Sequence, residues 1–431
     1  MSNPSATTYR KLTFVLLLFP VLYLTACSPL KKSLNNLDQN PVFAHSFTGF
    51  VLFDPENHQV LFEHQGSKYF TPASNTKLFT FYMANRILGD SIPAFEYHIK
   101  GDSIWLLGTG DPSFLNPELP TSGTFEFLRG RNIFLVRDRF EEPEYGPGWA
   151  WDDYSGSYQR PKAAFPIYGN VLHISWDPLQ KKPMIIPRIF TDSVSFDAAA
   201  TERALLGNRF TISHEWEKND TLGIPFYATE SLYENLWSDT LGSTVSWADT
   251  VILTDPAVFY SIAADSIYQK VLQDSDNFLA EQLILLCSWR LFGELDSRRT
   301  IDLLSDSLLA DLPQEPIWVD GSGLSRYNLF TPHSLAVLLN KIYQEVGQER
   351  IFELLPAGGK SGTIKDFYAS DPPYIFAKTG TLRNNHALSG YLVTKKGKVL
   401  IFSFMHNHFP SGSDPVKKEM EKLLRQVHLN Y

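Results

Sequence analysis

Apolar runs of strand length alternate along the chain with longer stretches of helical spacing. Residues 47–53 and 59–63 predict two strands, with Asp54-Pro55-Glu56-Asn57 as the turn between them. From Ser74 to Leu88 the apolar residues fall at 78, 79, 81, 82, 84, 87 and 88, and Gly89 follows. That spacing and stop signal predict a helix. Residues 95–100 and 103–107 flank Gly101-Asp102, a hairpin signal. From about residue 130 to 254 the pattern breaks into short strands and turns, punctuated by Pro143, Pro147, Pro161, Pro166, Pro178, Pro183 and Pro187. This stretch reads as a separate β-rich insertion. Helical spacing returns at 257–272, 277–291 and 332–346. The chain then closes with strands 387–394 and 399–405 around a Lys-Lys-Gly-Lys turn and a helix over 415–427. There is no internal repeat. The order predicts an α/β (α+β) sandwich, its antiparallel sheet flanked by helices and its sequence split by an inserted β-rich domain.

The first residues follow a different logic. Arg10 and Lys11 precede residues 12–26, a run of 15 residues that is apolar except for Thr13, Pro20 and Thr25. At about 1.5 Å per helical residue the run is too short to span a bilayer. A basic start, an apolar stretch and a close on Leu24-Thr25-Ala26-Cys27 fit a secretory signal that ends at a cysteine. The ending resembles the bacterial lipobox, in which that cysteine is lipidated and becomes the new N-terminus. The expected division is 1–26 as lipoprotein signal peptide, 27–41 as tether, 42–92 with 250–431 as catalytic domain, and 93–249 as inserted domain. Lipidated Cys27 would anchor the chain to a membrane and place it in the cell envelope, facing the periplasm.

Composition narrows the partners. The 431 residues carry 38 Lys+Arg and 47 Asp+Glu, a net charge of −9. Loss of Arg10 and Lys11 with the signal would take this to −11. No stretch beyond the start is strongly basic, which argues against nucleic acid as partner. Of the two cysteines, Cys27 is expected to be lipidated and Cys287 to be a small buried hydrophobe, so neither a disulfide nor a cysteine metal site is expected.

Three short motifs carry the candidate chemistry. Ser74 and Lys77 are three apart at a helix start, which puts them on one face. A serine nucleophile needs a base within hydrogen-bond reach, and a desolvated lysine can serve. The motif alone is weak, because Ser28-Pro29-Leu30-Lys31 matches it too. Ser275-Asp276-Asn277 opens the second long helix, where the plain alternative is an N-cap. Lys378-Thr379-Gly380-Thr381 follows an apolar β run, and a strand-edge Lys-Thr-Gly can present a cation, a hydroxyl and open backbone to an extended peptide. A rival, Lys360-Ser361-Gly362-Thr363, follows Pro356-Ala357-Gly358-Gly359 and reads as a loop. It fails as a phosphate loop because residue 354 is Leu.

The three motifs in this order match penicillin-binding proteins and serine β-lactamases. The match extends to residues 70–77, 107–112, 149–153, 275–281, 320–328 and 377–390, and so resembles the D-alanyl-D-alanine carboxypeptidase/endopeptidase family, the class C low-molecular-mass penicillin-binding proteins. The resemblance covers about residues 45–430 and implies a β-lactamase/transpeptidase-like fold. It implies that Ser74 attacks the D-Ala-D-Ala carbonyl and becomes the acyl-enzyme, while Lys77 takes its proton. Ser275 would relay a proton to the leaving nitrogen, and Asn277 would hold the substrate amide and orient Lys77. Lys378 and Thr379, in the Lys378-Thr379-Gly380-Thr381 strand, would engage the terminal carboxylate. The N–H groups of Ser74 and Thr381 would form the oxyanion hole. Peptidoglycan peptides and β-lactams are the implied partners, with no metal or organic cofactor. Two departures stand out: a shorter insertion, and Arg383-Asn384-Asn385-His386 where the family more often has small residues.

Arg326 has two readings, a partner for a free carboxylate on the peptide stem or a structural ion pair within residues 320–328. His406 and His408 share a strand face without an evident third ligand, so a strand end is expected rather than a metal site. Trp149 and Trp151 are expected to pack in a turn, with a sugar-lining role as the alternative. Two other functions compete. A serine β-lactamase would need a glutamate-activated water, and the 201 residues from Ser74 to Ser275 are too many for class A. A non-catalytic cell-wall-binding lipoprotein would not need every motif side chain intact.

Overall fold

The computed structural model describes residue 34 and residues 37–137, 140, 142–217, 220–249 and 255–431. The expected signal peptide, Cys27 and the decoy at 28–31 lie outside the described residues. Among the described residues no helix is long and apolar enough to cross a membrane.

The main sheet has five antiparallel strands in the order Ile375–Leu382, Asn385–Val393, Val399–Asn407, Phe47–Asp54, Gln59–His64. Its centre is Val399–Asn407, buried at every position. Its successive side chains alternate between two cores. Leu400, Phe402 and Phe404 pack toward the C-terminal helix Asp414–Asn430, against Met420 and Leu424. Ile401 and Met405 point the other way, into a core with Leu335, Leu338 and Leu339 of the helix Pro332–Val346. With both faces covered by helices, the strand reads as a continuous hydrophobic run.

Leu34 and Leu37, expected to belong to a tether, are buried in the C-terminal helix core beside Phe43. The apolar residues within that polar stretch have a place to dock.

A second five-stranded sheet, in the order Val245–Ala248, Asn132–Val136, Ser103–Gly108, Ser91–Lys100, Ala257–Ala263, is mixed, with parallel pairing on both sides of Asn132–Val136. Two three-stranded sheets and the helix Glu230–Leu241 complete the β-rich region, whose core is built around Phe95, Ile104, Leu135, Phe226 and Trp237. Strands Ser91–Lys100 and Ala257–Ala263 both pair in this second sheet, so its pairing reaches beyond the expected junctions at 92/93 and 249/250.

One prediction fails at its first half. Residues 257–272 were expected as a single helix, but Ala257–Ala263 is a strand, followed by the helix Ala264–Gln269 and a wide turn of π type at Lys270–Asp274. Val258, Phe259, Tyr260 and Ile262 are β-branched or aromatic and find an edge to pair with, which outweighs their helix-compatible spacing. Helices Glu230–Leu241, Ser297–Ser307 and Gln348–Leu354 lie where turns or no element were expected.

Candidate active site

Ser74 sits in a 3-10 turn, Ala73–Asn75, that leads into the helix Thr76–Ile87. Ala73 has φ +48°, a left-handed conformation that costs a residue with a Cβ. The surroundings hold it there. Thr76 Oγ1 donates to Ala73 O at 2.9 Å. Gly323 lies so close that a Cβ there would meet Ala73 O at 2.0 Å. Gly380 lies against the other side, where a Cβ would meet Pro72 O at 2.4 Å and the Ser74 nitrogen at 2.9 Å. Asn75 Nδ2 donates to Lys378 O at 2.9 Å, tying the turn to the edge strand of the main sheet.

Lys77 is fully buried one helical turn on. Its Nζ lies 3.0 Å from Ser74 Oγ, 2.6 Å from Asn277 Oδ1 and 2.7 Å from Ser322 O. Burial pulls its pKa down to about 8, against the opposing pull of Asp320, Asp276 and Glu281. An amine poised near neutrality beside a serine hydroxyl is a competent general base.

Ser275 ends the π-type turn at φ +63° and directs its hydroxyl into the site, where Lys378 Nζ donates to it at 2.8 Å. Asp276 caps the next helix, Asn277–Phe292, by accepting from the Leu279 N–H at 2.8 Å. Cap and site thus coexist in one tripeptide, on different residues. Asn277 reaches Lys77 with its oxygen and donates from Nδ2 to Tyr158 O at 2.9 Å.

Lys378 is also fully buried, and its pKa falls well below the ordinary lysine value through burial and the nearby Lys77 charge. Thr379 Oγ1 donates to Thr363 Oγ1 at 2.7 Å. The rival run at 360–363 leads into a 3-10 turn, Gly362–Ile364, and not into a strand, but it lies beside the chosen motif. Thr381 Oγ1 lies 2.8 Å from His386 Nδ1. Burial takes His386 down to about 3, so the imidazole is neutral.

A cleft of about 860 Å³ opens over Ser74, lined by Asn277, Tyr158, Arg326, Thr381 and Arg383. Among the described residues Arg326 forms no ion pair, and its Nη1 donates only weakly to Arg383 O at 3.4 Å. Asp320, its potential structural partner, is already filled by the N–H groups of Gly323 and Ser325, by Asn328 and by Trp149 Nε1. Trp149 is thus bound into the turn, while Trp151 stays 75% exposed. His406 is a core residue whose ring nitrogens meet the hydroxyls of Ser46 and Thr48. Among the described residues no three His, Cys, Asp or Glu side chains are placed to hold a metal.

Sequence reasoning gave no individual role in the site to Ser322, Asp320, Thr363 or Glu281. Glu281 carried a readable signal. It is an acid inside an otherwise apolar helix face, and such a residue is rarely buried without a task.

The profile of the D-Ala-D-Ala carboxypeptidase 3 (S13) family matches residues 30–202 and 226–427. D-alanyl-D-alanine carboxypeptidase DacB of Haemophilus influenzae is 24% identical over 436 residues, spanning 88% of this chain and 89% of that protein. The crystal structure of penicillin binding protein 4 from Haemophilus influenzae shares the fold, with TM-score 0.73 and 20% identity over 92% of this chain and 99% of that one. A predatory peptidoglycan endopeptidase of Bdellovibrio bacteriovorus aligns at TM-score 0.51 and 16% identity over 88% of this chain and 92% of its own. With the profile spanning nearly all of the sequence, the chain belongs to the D-Ala-D-Ala carboxypeptidase 3 (S13) family.

Proposed function

We propose that this chain is a serine D-alanyl-D-alanine carboxypeptidase/endopeptidase that acts on peptidoglycan stem peptides through an ester on Ser74 Oγ, and that it binds penicillins at the same atom. The observation that carries the reading is Lys77 Nζ at 3.0 Å from Ser74 Oγ, on a lysine held near pKa 8. Lys77 takes the Ser74 proton as Oγ attacks the carbonyl. The Ser74 and Thr381 N–H groups receive the developing oxyanion. Ser275, hydrogen-bonded to Lys378, relays the proton taken up by Lys77 to the departing D-Ala nitrogen as the C–N bond breaks, which leaves Lys77 neutral again. Water then hydrolyses the ester, and Ser74 recovers its proton. From Thr379 onward the outer edge of the Ile375–Leu382 strand carries no further strand among the described residues, which leaves backbone for an extended peptide. Lys378 and Thr379 take the terminal carboxylate, with Gly380 and Thr381 continuing the subsite. Arg326, in the cleft and without an ion partner among the described residues, takes a carboxylate on the peptide stem.

Penicillin should leave slowly. Glu281, the buried glutamate behind Lys77, accepts from the Gly321 and Ser322 N–H groups and does not line the cleft over Ser74, which argues against its activating water there in the manner of a β-lactamase. We also read Cys27 as the lipid-bearing residue of an envelope protein facing the periplasm, supported by its basic–apolar–small–Cys order. Labelled palmitate should enter the wild type in cells and not Cys27→Ser.

The test of the catalytic reading is intact-mass spectrometry with benzylpenicillin on wild type and Ser74→Ala. A one-to-one adduct that maps to Ser74 and is lost in the variant is expected. No adduct, with the penicillin recovered unchanged, overturns the enzyme assignment.

A further inference from the structure

Behind Lys77 lies a buried acidic pair that the reaction as written does not use. Glu281 and Asp320 are each 2% exposed. Glu281 stands on the helix Asn277–Phe292, one turn beyond Asn277, and accepts from the backbone N–H of Ser322 at 2.8 Å and of Gly321 at 3.2 Å. The same short loop is gripped from the other side. Thr80, on the Lys77 helix, donates to Gly321 O at 2.6 Å. Gly321 rests on the glutamate helix so closely that a Cβ would meet Ala280 O at 2.7 Å. The loop is clamped between the two helices that carry Lys77 and Asn277, and its next carbonyl, Ser322 O, faces Lys77 Nζ.

That placement decides where the base points. A neutral amine has two N–H groups and one lone pair. Asn277 Oδ1 at 2.6 Å and Ser322 O at 2.7 Å are acceptors only, so each requires an N–H. The remaining tetrahedral position falls toward Ser74 Oγ at 3.0 Å, where the lone pair is needed to receive the proton. If Ser322 O swings away, an N–H is free to turn toward Ser74 and the lone pair is lost to the reaction.

We propose that Glu281 is a positioning residue for the general base: by fixing the Gly321–Ser322 backbone it holds the Ser322 carbonyl on Lys77, and so aims the Lys77 lone pair at Ser74. The inference rests on the catalytic reading above. Its carboxylate has a second, electrostatic consequence. Burial and the neighbouring Asp320 push Glu281 upward, while Lys162 and its N–H partners pull it back. Lys77 in turn feels Asp320, Asp276 and Glu281, all of which favour its ammonium form. Lys378, from the edge strand, feels the Lys77 charge, and Lys162, which acts on Glu281, is paired with Glu142 in the wall of the cavity behind the acids. Removing the Glu281 charge therefore lowers the Lys77 pKa, and the pH below which acylation fails moves down with it.

The experiment is the pH dependence of acylation by benzylpenicillin, measured on full-length wild type and Glu281→Gln and normalised to the fraction of chains that form the Ser74 adduct. Glutamine keeps one acceptor but sets an N–H₂ against the second backbone N–H. The expected result is an acid limb shifted to lower pH and a plateau acylation rate reduced by about tenfold or more, with the non-covalent affinity for penicillin unchanged. A purely structural role would lower the adduct-forming fraction or the melting temperature and leave the limb in place. A limb coincident with wild type, at an unchanged normalised rate, overturns the proposal. If Glu281→Gln does not fold, Glu281→Asp keeps the charge and shortens the reach. Its limb should stay at the wild-type pH while its rate falls, and a wild-type rate overturns the proposal. Wild type that forms no adduct at all removes the catalytic reading itself, a result separable from either variant's.

Discussion

The site has two halves built on the same plan with different chemistry. In each, a fully buried lysine lies against a serine hydroxyl: Lys77 with Ser74, Lys378 with Ser275. Around Lys77 stand Asp320, Asp276 and Glu281, and the lysine comes to rest near pKa 8. Around Lys378, among the described residues, no carboxylate offsets burial, and Lys77 adds repulsion, so Lys378 falls well below its ordinary value. Desolvation alone makes a lysine neutral; the surrounding acids decide where it titrates. The first half is furnished to exchange a proton near neutrality. The second is short of one negative charge, which in the proposed reaction the carboxylate of a D-Ala terminus would supply.

The strongest way to break this contrast is to make the same substitution in both halves. Lys77→Met removes the base and should lower acylation by benzylpenicillin about 10²–10⁴-fold, the usual worth of general base catalysis. A burst assay against a fluorescent penicillin reads this directly. Lys378→Met leaves the base in place and removes a charge-assisted bond to the ligand carboxylate. It should cost about 10–100-fold, seen in KM more than in kcat. The diagnostic substrate pair is a peptide ending in D-Ala-D-Ala and its C-terminal amide. Wild type should prefer the acid strongly, and Lys378→Met should barely distinguish them. Equal losses on both substrates would mean that Lys378 serves Ser275 and not the carboxylate.

The two halves were also unequally legible in the chain. Ser74 and Lys77 are helical neighbours, so their meeting follows from spacing three apart. Ser275 and Asn277 were readable through their order relative to the other motifs, while Asp276 alone took the capping role the tripeptide first suggests. Lys378 was separable from Lys360 because a strand precedes only the former. The partners that tune the lysines were not readable. Ser322 and Thr363 reach the site from loops whose course depends on tertiary packing, and Ser322 contributes a backbone carbonyl, which no side-chain pattern marks. Strand Ala257–Ala263 was misread for a related reason, since its pairing partner Ser91–Lys100 lies about 160 residues earlier and local spacing cannot weigh it.

Titration sharpens the contrast at smaller cost. Lys77 must be neutral to accept the Ser74 proton, so acylation should fall as pH drops through about 8. One unit below that value the rate should approach a tenfold reduction, because the neutral fraction falls tenfold per unit. Carboxylate binding has the opposite sign. Lys378 is depressed in the empty site, and a ligand carboxylate raises it, so binding takes up a proton and weakens as pH rises. Stopped-flow rates and calorimetry in two buffers of different ionisation enthalpy separate these trends. Proton release on binding the peptide acid would reverse the assignment of the two halves.

The smallest effect tests how far the carboxylate half extends. Thr379 Oγ1 donates to Thr363 Oγ1 at 2.7 Å, and the pair lies exposed beside Lys378. A threonine hydroxyl that donates to its neighbour turns its lone pairs outward; one that donates to a ligand carboxylate must first release the neighbour. Thr363 then either competes with the ligand or, once released, donates alongside Thr379. The 360–363 loop stands next to the edge strand because Gly362 at φ +60° lets its backbone pass within reach of Gln273. Thr363→Val keeps the shape and removes the hydroxyl. If Thr363 donates to the carboxylate, KM for the peptide acid should rise about 2–10-fold, the worth of one exposed hydrogen bond, with the amide unaffected. A fall in KM instead would show that the Thr363 hydroxyl holds Thr379 away from the ligand, and would confine the carboxylate half to Lys378 and Thr379.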